Sequence, residues 1–220
     1  MTVQENFSKV IQFIKHHQDG EVAELLRYRG LNYNMIYGVS SQIMSKCAEE
    51  IGRNQELSNM LWKENFREAK LMALMLAEPV CISNDEVETF IAGCTNHEMV
   101  EIGTMYLFSK LPHALDKVYE WIQSDKEFTQ MAAYMMIAQS AKHNLTFIDV
   151  KKLMPFYERD FTTESYFVRK AVINAFQELA YRKPGLKQPI IKATKLILEH
   201  NKGSEFELQA KDMLQVLNYC

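Results

Sequence analysis

The sequence predicts an all-α protein, a HEAT-like helical repeat solenoid in which helices stack in pairs, and three observations predict it. Apolar residues recur at three- and four-residue spacing in one segment after another, the signature of helices with one buried face. No long apolar/polar alternation marks a strand, and only 8 glycines and 5 prolines punctuate 220 residues. Finally, the pattern repeats itself. Taking Phe66, His97, Phe128, Phe167 and Phe206 as anchors, the spacings are 31, 31, 39 and 39 residues, the length of one helix pair.

The elements follow from this periodicity in chain order. Helices are expected at about 3–18, 20–28, 40–52, 54–63, 65–78, 84–94, 96–111, 113–123, 126–143, 147–158, 164–182, 186–200 and 204–218. The stretch from Leu31 to Tyr37 lies between two periodic segments and is expected to be a loop. Ser83 and Thr163 precede acidic residues as N-caps do, and Pro79, Pro112 and Pro184 fall just after apolar stretches, where a helix must stop. Five, eight and nine places beyond the first four anchors come Leu71, Leu74 and Met75; Ile102, Met105 and Tyr106; Ala133, Met136 and Ile137; and Val172, Ala175 and Phe176, the expected packing face. The fifth repeat carries the more polar Lys211, Leu214 and Gln215 there, as a capping repeat should. No Gly-rich linker breaks the series, so residues 1–220 read as a single domain.

A second face of the same helices collects Lys70, Glu101, Met131, Lys142, Lys170, Asn174 and Gln177 and is expected to line the inside of the curve. Charge along the chain is uneven. Residues 1–141 carry 12 Lys and Arg against 19 Asp and Glu, whereas residues 142–202 carry 12 against 6, within an overall charge of -3. A uniformly basic nucleic-acid binder is excluded, but a polyanion-binding flank in the second half is not. Lys142, together with Arg169 and Lys170 after Tyr166-Phe167, supplies candidate phosphate contacts.

Catalytic signatures are sparse. Phosphate loops, dinucleotide-binding glycines and nucleophile elbows are absent, and no cofactor is expected. Cys47, Cys81, Cys94 and Cys220 have no ligand spacing, which fits reduced thiols in a cytoplasmic protein. The first ten residues mix Gln4, Glu5, Asn6 and Lys9 among apolar ones, so neither a signal peptide nor a membrane span is expected. His97 and Glu101 stand one turn apart, but no second histidine completes the two-histidine zinc motif and no metal is expected. Glu98 and Glu101 also lie in the first turns of a helix, where carboxylates complement the helix dipole.

Two stretches carry a family resemblance. Tyr37-Gly38-Val39, followed by a helix and then by Leu61-Trp62-Lys63-Glu64-Asn65-Phe66-Arg67-Glu68-Ala69-Lys70-Leu71-Met72-Ala73-Leu74, resembles the AlkD-type DNA alkylation repair family from about Tyr28 to Pro184. The resemblance implies a HEAT-like stack that grips double-stranded DNA; separately, the chain is expected to be a monomer. In active members it also implies hydrolysis of the N-glycosidic bond of alkylated purines without drawing the base into a pocket. By position the family's catalytic aspartate falls on Glu101, its preceding aromatic residue on His97, its arginine on Met131 and a second tryptophan on Asn174. Glu98 with Glu101 looks similar to the acidic pair of a branch that keeps the stack without the catalytic set. Three functions follow as expectations. One is DNA binding with glycosylase activity resting on Glu101; another is catalytically silent binding of damaged or branched DNA through Lys142, Arg169, Lys170 and Asn174; the last is a helical scaffold for protein or peptide.

Overall fold

A computed structural model describes residues 2–143 and 149–219, apart from the side chain of Pro184. The chain divides into two compact units, Met1–Pro112 and His113–Cys220. The first contains α1 (Val3–His16), α2 (Gly20–Tyr28), α3 (Ser41–Ile51), α4 (Gln55–Lys63), α5 (Arg67–Leu76), α6 (Asn84–Ala92) and α7 (His97–Tyr106), closed by a 3-10 turn at Phe108–Lys110. The second contains α8 (Ala114–Trp121), α9 (Glu127–Lys142), α10 (Val150–Asp160), α11 (Tyr166–Arg182), α12 (Pro184–His200) and α13 (Glu205–Tyr219). Among the described residues there is no strand, as the periodicity predicts. No helix among them is long and apolar enough to cross a membrane.

Local chemistry starts these helices. Thr2 with Glu5 and Ser83 with Glu86 form complete capping boxes, and Asp19, Ser40, Asn54, Asn96 and Ser165 each accept a hydrogen bond from a first-turn amide. Ser83 is thus the cap that its sequence context predicts. The cap of α11 is Ser165 rather than Thr163, whose amide instead donates to the Asp160 carbonyl in the turn that ends α10. The helix expected at 147–158 begins within residues outside the described set, and its described part is α10.

Packing follows the repeat alignment. In unit 1, α5 is enclosed by α3, α4 and α7, and all of its residues except Lys70 are buried. In unit 2, α9 packs along α11, with α8 against α9, and α12 against both α11 and α13. Leu71, Leu74, Met75, Ala133, Met136, Ile137, Val172, Ala175 and Phe176 are all buried, each large one contributing roughly 2 kcal/mol. The anchors Phe66, Phe128 and Phe167 are only half-buried at the helix starts, with the last two rings 5.9 Å apart. Met105 departs from the pattern and is exposed. At Gly103 an added Cβ would stand 2.4 Å from the Phe108 ring. That absent side chain lets Phe108 fold back onto α7, so the helix ends at Tyr106 instead of running on to 111.

Candidate nucleic-acid interface

Unit 1 is organised around a buried ion network built from the resemblance motif. Glu68 is fully buried; its carboxylate accepts the backbone amides of Tyr37, Gly38 and Val39 at 3.0, 2.9 and 3.3 Å. Three consecutive amides can converge on one carboxylate because Gly38 has φ +86°, and a Cβ there would strike the Asp19 carbonyl oxygen. Arg67, also buried, donates to Glu68 and to the Val39 carbonyl through Nη1, and grips Glu98 with Nε and Nη2 at 2.8 and 2.6 Å. Burial alone would lower the Arg67 pKa, but the Glu98 and Glu68 carboxylates outweigh it and raise the pKa. The Tyr33 hydroxyl donates to Glu98 at 3.0 Å, and its pKa is raised first by burial and then by the Glu98 charge.

The acidic pair on α7 therefore divides. Glu98 is consumed by Arg67 and Tyr33, whereas Glu101 is exposed one turn on and, among the described residues, makes no hydrogen bond or ion pair. His97 is half-buried at the start of the same helix. Among the described residues, no group of three His, Cys, Asp or Glu side chains could hold a metal ion. Cys47 and Cys94 are buried, Cys81 is exposed, and Cys220 lies outside the described residues.

Unit 2 presents a different surface. On α11 the exposed residues Tyr166, Lys170 and Asn174 are spaced by four and form one line along the helix, which continues through half-buried Glu178 to exposed Arg182. Lys170 Nζ lies 6.0 Å from the Tyr166 ring centre. Lys142, the last residue of α9, is exposed and reaches Glu178 at 3.4 Å; Glu178 also receives Arg182 at 3.5 Å. Lys142, Lys170 and Asn174 thus belong to one packed helix pair. Glu178 is the member that sequence reasoning missed, although its four-residue spacing to Arg182 is an ion-pair signal.

Arg169 points elsewhere. It is buried, donates to the Thr163 carbonyl at 2.6 Å, stacks 5.2 Å from the centre of the Phe206 ring and approaches Glu205 at 3.6 Å. Its guanidinium ties the turn before α11 to α13, while its neighbour Lys170 faces solvent. Met131, where the resemblance places an arginine, is buried, and Asn174, where it places a tryptophan, is exposed.

The comparisons with known proteins agree with this architecture. A family described as DNA alkylation repair enzyme matches residues 5–204. One solved structure superimposes with a TM-score of 0.79 at 16% identity, covering 95% of this chain and 94% of its own; it is described as a new family of proteins related to the HEAT-like repeat DNA glycosylases with affinity for branched DNA structures. No curated protein matches the chain. The helical repeat expected from the sequence is therefore a HEAT-like fold, and, with a match running from α1 to the turn before α13, the chain belongs to the DNA alkylation repair enzyme family.

Proposed function

We propose that the chain is a DNA-binding protein that recognises branched or damaged duplexes without hydrolysing the glycosidic bond itself. The observation that carries this reading is the exposed line of Tyr166, Lys170 and Asn174 on α11, with Lys142 beside it on α9, in a chain of a DNA repair family. Two ammonium groups, an amide and an aromatic edge on one helix pair suit a sugar-phosphate backbone, where cations replace condensed counterions and neutral donors fix register. The affinity for branched DNA in the description of the structural relative supports the same reading.

Chemistry argues against hydrolysis. An alkylated purine is already a good leaving group, so a hydrolase must chiefly stabilise a cationic sugar with a preorganised carboxylate in a water-poor site. Glu101 is instead exposed, and the positions that match the rest of the family's catalytic set hold His97, buried Met131 and Asn174. In water-like dielectric a lone carboxylate about 4 Å from a cation gains only about 1 kcal/mol.

The test is a binding titration with a four-way junction and a linear duplex at several salt concentrations, run beside an assay for free base released from alkylated duplex. We expect tighter binding to the junction, a steep salt dependence and no released base. Replacing Lys142 and Lys170 together by alanine is expected to lower the salt slope by about two. Enzymatic base release would overturn the silent reading. Binding that is absent, or insensitive to both salt and the double substitution, would overturn the interface.

A further inference from the structure

Unit 1 contains a cleft of about 260 Å³ bounded by the loop before α3 with Tyr33, the start of α5 with Phe66 and Lys70, and the start of α7 with Met99. We propose that this cleft receives a single unpaired nucleobase, an assignment that rests on the DNA-binding reading above and specifies which part of a branched or damaged DNA the protein senses.

Four features of the cleft point to a planar, hydrogen-bonding ring. Its size lies just below the range of roughly 300–1,000 Å³ that holds drug-sized ligands, so it suits one ring system rather than a larger molecule. Its apolar surface comes from Phe66, Tyr33 and Met99, and the Phe66 ring is only half-buried, leaving area for stacking. Asn32, Asn34 and Asn65 are exposed, and among the described residues none of their side-chain amides has a hydrogen-bond partner. An Asn amide pairs donor and acceptor at the spacing of an adenine edge, and three of them around one cleft give a base several partners.

The last feature is Lys70, the one residue of α5 that is not buried. Its ammonium donates to the Trp62 carbonyl and lies 4.7 Å from the Trp62 ring centre, leaving two donors for a ligand. Burial pushes its pKa below the usual lysine range, with the Glu64 charge opposing, so this amine gains from an electron-rich partner. Trp62 is itself fixed, stacked 4.5 Å from Phe90 and so close to Gly93 that a Cβ there would stand 2.6 Å from its ring. Behind Tyr33, the buried Asn96 accepts the Tyr33 hydroxyl and the Met99 amide through Oδ1 and has an unpartnered Nδ2, a polar wall already committed to holding Tyr33 in place.

The experiment uses the full chain and a forked DNA with one 2-aminopurine at the unpaired branch nucleotide, compared with a linear duplex in which the same analogue is paired. Stacking quenches 2-aminopurine emission, so the wild type is expected to quench the forked probe on binding and to leave the paired probe nearly unchanged. The variant Asn34→Ala/Asn65→Ala alters two exposed side chains outside the helices and the core. It is expected to lose most of the quench and about tenfold in affinity for the fork, while its affinity for the linear duplex stays the same. Phe66→Leu, which keeps apolar volume but removes the stacking face, is expected to do likewise. Fork binding without quenching, or quenching unaffected by both variants, overturns the cleft assignment and leaves DNA binding standing. A protein that binds neither DNA overturns the DNA-binding reading and the cleft with it.

Discussion

Replacing Glu68 by glutamine probes the centre of unit 1 without changing its shape. Oε2 accepts from Tyr37, and Oε1 accepts from Gly38, Val39 and Arg67, so every contact of the carboxylate is with a donor. Glutamine must turn an NH2 group towards one of these donors. It also removes one of the two carboxylates that hold the buried Arg67 guanidinium. Breaking a buried pair by removing one partner costs about 3–5 kcal/mol, and glutamine, which keeps one acceptor, is placed near 3 kcal/mol. At a urea slope of about 2–3 kcal/mol per molar, the unfolding midpoint of unit 1 should fall by about 1–1.5 M. Because the chain has two units, the signal must come from one of them. Trp62 belongs to the first and Trp121 to the second, so Trp62 fluorescence in a Trp121→Phe background reports unit 1 alone. A midpoint shift below about 0.3 M with unchanged slope would refute the assignment of Glu68 as the clasp of this network.

Other perturbations separate structural from functional charges. Arg169→Ala should cost about 2–3 kcal/mol, from the lost charged hydrogen bond to Thr163 and the stack on Phe206, whereas Lys170→Ala should leave the thermal midpoint unchanged; equal effects in thermal melts would contradict their different placement. Glu101→Gln should leave stability within a few tenths of a kcal/mol and junction affinity within about twofold, and a wild-type base-release activity abolished by this change would make Glu101 catalytic after all. Glu86 has a depressed pKa, first through the Ser83 amide and then through the Ser83 hydroxyl. Its contribution is therefore present above its unfolded value near 4.5 and lost as pH falls through the lower folded value. Glu86→Gln should accordingly be less stable than wild type at pH 7, with the gap narrowing as pH falls below 4.5 and through the lower folded value in denaturant titrations; a gap independent of pH would rule the linkage out.

What could be read from residues alone was the part governed by local and periodic physics. The succession of helices, the loop at Leu31 to Tyr37 and the Ser83 cap follow from spacing and capping chemistry, and so does the buried row at five, eight and nine places past Phe66, Phe128 and Phe167. The misplacements arise where tertiary contacts override that local pattern. Thr163 and Ser165 are both good caps, and the hydrogen bond from Thr163 to Asp160 in the preceding turn leaves the role to Ser165. The end of α7 depends on Phe108 finding room at Gly103, which no helical period encodes. Arg169 and Lys170 are adjacent cations with opposite surroundings, one over Phe206 and the other in solvent. The motif Arg67-Glu68 was legible as a family signature, but its use as an internal clasp required the Tyr37-Gly38-Val39 turn and Glu98 to be seen around it.

The clasp at Glu68 also bears on how this chain can be made. A plain helical repeat can form pair by pair as it emerges from the ribosome, because each pair needs only its neighbour. Here Glu68 reaches back about thirty residues to the Gly38 turn, and Arg67 reaches forward 31 residues to Glu98. Until residue 98 has been synthesised, the Arg67 guanidinium lacks its bidentate carboxylate, and a closed α5 would bury it with Glu68 as its one carboxylate and with Nε and Nη2 missing their Glu98 acceptors. The front of the molecule should therefore wait, loosely gathered, and then close as a single cooperative block when α7 arrives. Fragments ending before His97 would be expected to stay sensitive to protease, and those ending beyond Pro112 to become resistant in one step.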